Sequence, residues 1–162
     1  VFGKCFEHVA RLFRGVSTSL FRIVWCVEPH GSPDLELFAP PDWRVVYTFG
    51  LDLFDKESWP NEATAEVSSL AIRHGKRLLI GEAAPTKQQG LTAQERWDGW
   101  WSPFFKTCRP EDVEAVSLLP ENFVGTKWDS WGDCRFFLRP EAQSVFEELS
   151  GPEWLHSTEE IE

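Results

Sequence analysis

Four acidic residues lie directly after an apolar run of the sequence or within two residues of its end. They are Glu28, Asp52, Glu82 and Glu121. In enzymes built on a parallel barrel, the active-site side chains come from the carboxyl ends of strands and from the loops that follow. A carboxylate in that position can also cap the next helix or pair with an arginine, so position alone leaves both roles open.

Glu82 is the candidate with the most rigid support. It follows Leu-Leu-Ile-Gly at 78–81, an apolar strand signal whose glycine allows a ligand or another backbone to approach closely. We therefore take Glu82 as the candidate catalytic residue and Glu28 and Asp52 as candidates for substrate contact.

Aromatic side chains supply the second kind of candidate. Nine tryptophans are many for 162 residues, and indole faces suit the apolar faces of sugars while the ring N–H can bond a hydroxyl. Trp128 and Trp131 lie in a glycine-bearing loop and are candidates for substrate contact. Trp97, Trp100 and Trp101 fall at helical spacing, which favours a packing role.

Asp133 and Arg135 follow in the same loop. They could bind a sugar hydroxyl, or they could form an internal salt bridge that pins the loop. The sequence leaves these two roles open.

The elements that must position these residues alternate between strands and helices. Apolar runs without alternation are typical of strands covered on both faces, and helical segments between them imply a parallel sheet. We predict strands at 21–27, 44–51, 77–81 and 115–119 and helices at 2–16, 63–74, 92–105 and 140–149, with a short or irregular crossover at 31–43. The strand spacing is comparable to the ~30 residues of a βα unit, so four units predict half of a (β/α) barrel. An open doubly wound sheet is the alternative, although no dinucleotide or phosphate-loop motif is present.

Composition restricts the partners. The 26 Asp and Glu against 16 Lys and Arg give a formal net charge of -10, which argues against nucleic acid. No apolar run reaches the ~20 residues of a membrane span. The chain begins at Val1 and contains no Met, so we expect a fragment or a processed product, whose localisation the sequence does not reveal.

The remaining side chains give no sign of a metal or cofactor. The four histidines are isolated, without metal-ligand spacing. The four cysteines are expected to be buried free thiols, with a disulfide between some pair of them as the alternative. They are Cys5, Cys26, Cys108 and Cys134.

Residues 75–85, GKRLLIGEAAP, resemble the seventh strand of the clan A glycoside hydrolases, retaining enzymes with a (β/α)8 TIM barrel. They are most similar to β-mannanase-type members of glycoside hydrolase family 26. Residues 97–105, WDGWWSPFF, residues 128–135, WDSWGDCR, and residues 148–156, ELSGPEWLH, fit the same resemblance, which covers about the whole chain. One departure is Phe123, where the relatives often have a tryptophan after the eighth strand.

The resemblance implies that residues 1–162 form a single partial catalytic domain, the C-terminal half-barrel with strands five to eight. Glu82 would be the nucleophile, and the acid/base would end the fourth strand, before Val1. The implied partner is a β-linked polysaccharide such as mannan, and a secreted enzyme would fit. The alternatives are a catalytically silent sugar-binding or scaffold relative and an unrelated structural α/β protein. A half-barrel would also leave unpaired strand edges, so we expect the isolated chain to associate or aggregate.

Overall fold

The computed structural model describes residues 2–16, 21–28, 35–54, 62–107 and 112–135. The chain is mixed α/β with a four-stranded parallel sheet, whose strand order follows the sequence, β1-β2-β3-β4. The strands are β1 (Val24–Val27), β2 (Thr48–Leu53), β3 (Leu78–Ala83) and β4 (Val113–Leu118), and the helices are α1 (Phe2–Val16), α2 (Leu35–Phe38), α3 (Glu62–Arg73), α4 (Ala93–Arg96) and α5 (Ser102–Thr107). The predicted α/β class and parallel sheet are confirmed; the predicted helix at 140–149 lies outside the described residues.

The predicted strand at 44–51 is wrong at both ends. Its start is wrong because its first residues form a local hydrogen-bonded turn. Trp43–Val45 form a short 3-10 helix whose N-cap is Asp42, and the Asp42 side chain accepts from the backbone N–H of Arg44. A side chain that satisfies backbone donors in this way competes with strand pairing. β2 consequently begins at Thr48 and runs through Asp52 to Leu53.

The other strands differ from prediction at their ends. β1 is shorter, starting at Val24, and pairs in parallel register with β2, with Cys26 opposite Gly50. β3 extends past the predicted end, so Glu82 lies within the strand and not after it. β4 starts two residues before the predicted Ala115 and ends at Leu118.

The chain divides into two compact units. Unit 1 comprises Val1–Leu53 and Glu57–Gly81, and unit 2 comprises Phe54–Lys56 and Glu82–Glu162. In unit 1, α3 packs against β2, and the buried side chains include Trp25, Phe49 and Val67. The indole N–H of Trp25 donates to the carbonyl of Phe38 at 3.1 Å, which links β1 to the end of α2.

The helix predicted at 2–16 is present as α1, but its apolar side chains are not buried within unit 1. Only Gly3 and Ala10 of this helix are buried, where it contacts α2 and the 3-10 turn. Large apolar side chains remain exposed along the rest of the helix: Phe2, Val9, Leu12, Phe13 and Val16. No helix in the described ranges is long and apolar enough to cross a bilayer.

In unit 2, the helix predicted at 92–105 is present as three consecutive segments. Thr92 and Glu95 form a capping box at its start. Trp97–Trp101 then form a turn of π-helix, closed by the N–H of Ser102 reaching the carbonyl of Trp97, before α5 begins. The turn buries its three tryptophans, and Trp100 stacks on Phe104 at 4.8 Å between ring centroids. The predicted packing role of these tryptophans is confirmed.

Candidate functional site

Glu82 is the penultimate residue of β3 and its side chain is exposed. The chain around it is firmly held. Ala83, Ala84 and Pro85 are buried, and the N–H of Leu119, just beyond β4, donates to the carbonyl of Ala83 at 2.9 Å. The carboxylate therefore projects from a well-anchored backbone and is accessible to a ligand.

Asp52 lies near the end of β2 and is half-buried. The Cys26 thiol of β1 donates to Asp52 Oδ1 at 3.3 Å. A Cβ placed on Gly81 would lie 2.7 Å from Asp52 Oδ1 and 3.0 Å from Cys26 Sγ. The structure thus brings Asp52 together with Cys26 and with the bare backbone of Gly81. Cys26 was missed as a neighbour, because neither run alternates between apolar and polar residues in a way that reveals the register between β1 and β2.

The same observation defines the face of β3 from which Glu82 projects. Successive side chains of a strand point to opposite faces. Since the Cβ position of Gly81 faces Asp52 and Cys26, Glu82 leaves β3 on the opposite face, the one shared with the buried Ile80. Asp52 and Glu82, predicted to serve the same site, therefore do not project from one face of the sheet.

Glu28 and Glu121 are both exposed. Glu28 follows β1 directly. The backbone of Glu121 is part of a compact loop, because its N–H donates to the carbonyl of Leu119 and its carbonyl accepts from the N–H of Cys134 at 2.8 Å. The Glu121 main chain therefore helps to close the loop that follows β4.

This loop, residues 121–135, has its own hydrogen-bond framework. Asn122 and Asp133 form an isolated antiparallel bridge, and the N–H of Phe123 donates to the carbonyl of Gly132 at 2.9 Å. Gly125 N–H donates to Asp129 Oδ1 at 2.6 Å. Gly125 has a positive φ of 79°, a backbone conformation that glycine adopts more readily than other residues. The loop is therefore preorganised.

Two further contacts tie the loop to the segment after β3. The backbone N–H of Gln88 donates to the carbonyl of Trp131 at 3.1 Å, and the Cys134 thiol donates to the carbonyl of Pro85 at 2.9 Å. Burial raises the pKa of this thiol to about 12. Of the other described cysteines, Cys5 and Cys26 are exposed, so the prediction of buried free thiols holds for Cys134 and is wrong for those two. Cys108 lies outside the described residues.

Trp131 is the centre of an aromatic cluster in this unit. Its ring contacts those of Phe54, Phe123 and Trp128, with centroids 5.3, 5.1 and 5.3 Å away. Trp131 itself is half-buried, whereas Trp128 is 46% exposed. The ammonium group of Lys127 lies 5.2 Å from the centroid of the Trp128 ring. The accessible indole of the predicted pair is thus Trp128, and Trp131 supports it.

Asp133 and Arg135 form the internal salt bridge that the sequence left open. Arg135 donates from Nε and Nη2 to the two carboxylate oxygens of Asp133, at 2.8 and 2.7 Å. The side-chain hydrogen bonds from Arg135 lower the pKa of Asp133. The pair keeps the end of the loop in place, and two donors of the guanidinium are already engaged.

No group of three or more His, Cys, Asp or Glu side chains that could hold a metal ion is found in the described part of the chain. A comparison with protein-family models finds no family that matches the chain, and a search of curated proteins finds no match either.

Proposed function

We propose that this chain is the nucleophile-bearing part of a retaining glycoside hydrolase that acts on a β-linked polysaccharide such as mannan. The observation that supports it most is the exposed carboxylate of Glu82, anchored near the carboxyl end of a strand in a parallel sheet. Carboxylates in this position are the usual source of catalytic groups in (β/α) barrels. The finer assignment, half of a TIM barrel, is part of the same proposal.

The chemistry requires two carboxyl groups. In a retaining enzyme they lie about 5 Å apart; one attacks the anomeric carbon while the other protonates the departing oxygen, and the second then activates water to release the glycosyl intermediate. Under the proposal Glu82 is the attacking carboxylate, and the acid/base is supplied by protein outside these 162 residues.

The loop at 121–135 supplies the sugar contact in this proposal. Trp128 offers an accessible indole face on a loop that is already ordered by its own hydrogen bonds. A preorganised platform costs little conformational entropy on binding. The proposal therefore gives Trp128 the substrate contact and leaves Trp131 as its support.

The test uses the complete protein with β-mannan oligosaccharides and a reducing-sugar assay. Glu82→Gln should lower kcat by on the order of 10³-fold or more, with an unchanged circular dichroism spectrum. Asp52→Asn is the matched control, since it neutralises a strand-end carboxylate that projects from the other face of the sheet. Undiminished hydrolysis by the Glu82 variant would refute the nucleophile role.

A second candidate, a sugar-binding protein without catalysis, is favoured by the exposed indole of Trp128 on a loop that its own hydrogen bonds already order. In this case the complete protein binds oligosaccharide in calorimetry without turnover. Trp128→Ala should then weaken binding by about 2- to 10-fold, the range of one aromatic contact, while Glu82→Gln leaves the affinity unchanged.

A further inference from the structure

A cleft of about 450 Å3 lies within unit 1. Its walls come from the segments that immediately precede β2 and β3, so it sits at the amino ends of these strands. The lining residues are Pro41, Asp42, Trp43, Arg44, His74 and Lys76.

The charge around this cleft is opposite to that of the whole chain. Asp42 accepts from Arg11 Nη2 at 2.7 Å and pairs with Arg44 at 2.8 Å, and Arg14 donates to the carbonyl of Arg44 at 2.7 Å. Among the described side chains that line the cleft or bond to its lining, four cationic ones, counting Lys76, thus stand against two anionic ones, Asp42 and the Glu7 that pairs with Arg11. At physiological ionic strength charges act over about 8 Å, so an anion in the cleft experiences this local excess more than the net charge of -10.

Asp42 orients the Arg44 side chain and engages only part of its guanidinium group. Its Nε and Nη2 donate to the two oxygens of Asp42 at 2.8 and 3.1 Å, which engages two of the five guanidinium donors. The side chain is nevertheless 89% exposed. Asp42 therefore orients the guanidinium plane through Nε and Nη2.

Lys76 is the second cationic side chain that lines the cleft, in addition to the guanidinium group of Arg44. It lies three residues after the end of α3, at Arg73, and its side chain is half-buried at the edge of the cleft. No ion pair involving its ammonium group occurs within the described ranges. An arginine fork beside an unneutralised lysine is the donor set that proteins use for phosphoryl oxygens.

The remaining wall is a rigid aromatic stack. The rings of Trp43 and Phe49 are stacked with centroids 5.0 Å apart. His74 lies 5.3 Å from Trp43 and 6.1 Å from Phe49. Trp43 is half-buried, so part of its ring is available to the apolar portion of a ligand.

We propose that this cleft binds a small ligand through a phosphoryl group, held by Arg44 and Lys76, with the apolar part of the ligand against Trp43. The ligand chemistry is shared by free phosphate and by a phosphomonoester. The proposal is independent of the glycosidase proposal, since no residue of the cleft takes part in that chemistry.

Calorimetric titration of the complete protein with phenyl phosphate and with inorganic phosphate tests the proposal. We expect a Kd of about 1 mM or tighter for phenyl phosphate, and at least tenfold weaker binding by Lys76→Gln and by Arg44→Gln. Lys76→Gln leaves the Asp42 network intact, so it keeps the test valid if Arg44→Gln disturbs the fold. Lys106→Gln removes an exposed lysine from unit 2 and should bind like the wild type.

The two ligands distinguish the sources. Tighter binding of phenyl phosphate than of inorganic phosphate supports a phosphomonoester seated on Trp43, and Trp43→Leu should remove that difference. Equal affinities support a free-phosphate site. The proposal is overturned if Lys76→Gln binds phenyl phosphate as tightly as the wild type, if neutral benzyl alcohol binds equally well, or if the wild type binds neither phosphate. Glu82→Gln should leave the phosphate affinity unchanged.

Discussion

Replacing Gly3 by alanine should destabilise the fold, although alanine is the better helix former. A Cβ on Gly3 would overlap the carbonyl oxygen of Ala39 and lie 2.9 Å from its carbonyl carbon. That carbonyl belongs to backbone held by the Ala39 N–H, which donates to Leu35 at 2.9 Å. Relief therefore requires α1 or the segment after α2 to move, because no flexible side chain can rotate away.

Two opposing contributions set the size of the effect. Alanine gains up to about 1 kcal/mol of helix propensity over glycine in a helix interior, but less at Gly3, the second residue of α1. Overpacking costs about 1–3 kcal/mol. The clash therefore dominates, and we expect Gly3→Ala to lower the free energy of unfolding by about 1–2 kcal/mol.

Gly15 provides a matched control in the same helix, one residue from the other end. A Cβ there meets nothing within 4 Å, so Gly15→Ala should change the free energy of unfolding by no more than about 0.5 kcal/mol. Urea denaturation followed by circular dichroism, together with hydrogen exchange of the α1 amides, measures both variants. Equal stability of Gly3→Ala and Gly15→Ala would refute the packing of α1 against residue 39.

Two further predictions concern loop 121–135. The hydrogen bonds from Arg135 lower the pKa of Asp133, so the pair stabilises the fold above the unfolded pKa of Asp133, and this stabilisation is lost as the pH falls through the lowered folded pKa. Arg135→Gln should therefore raise the pKa of the Asp133 carboxyl group, as measured by carbon-detected NMR. An unchanged titration of Asp133 would contradict the pairing. Burial raises the pKa of the Cys134 thiol to about 12, whereas Cys26 is exposed. Iodoacetamide at pH 8 should therefore alkylate Cys26 but not Cys134, as measured by peptide mapping. Equal labelling of the two cysteines in the folded chain would contradict the packing of the loop.

The sequence predicted the type of most elements because their signals are local. The 3.6-residue period of α1, the capping box at Thr92 and the β-branched run ending at Val27 each act over a few residues. The start of β2 was mispredicted because it depends on a competition: Arg44 to Val46 have the character of a strand, but Asp42 caps their backbone in a 3-10 turn. The hydrogen bond from the Arg44 N–H to the Asp42 side chain outweighs the strand propensity of these residues, and a propensity argument does not include such a bond.

A helix was predicted at 2–16, but no prediction was made of what covers its apolar face. The spacing of its apolar residues indicates a face, but periodicity does not state what covers that face. In the described structure Val16 is 76% exposed and Leu12 59%, whereas the small residues Gly3 and Ala10 form the contact. Because α1 lies close to α2, its contact positions are occupied by residues without long side chains. A search for large apolar residues does not find such positions.

For the candidate site, the sequence identifies the carboxylates but not their faces. An alternating strand shows its inward residues by its period of two, but Leu78 to Gly81 is apolar throughout, so the period carries no information. Here the glycine decides the matter, because the Cβ it lacks would meet Asp52 and Cys26. The face of Glu82 follows from its neighbour, and a one-residue shift of β3 would exchange the two faces. The register of β3 is therefore the structural quantity that decides the face from which Glu82 projects.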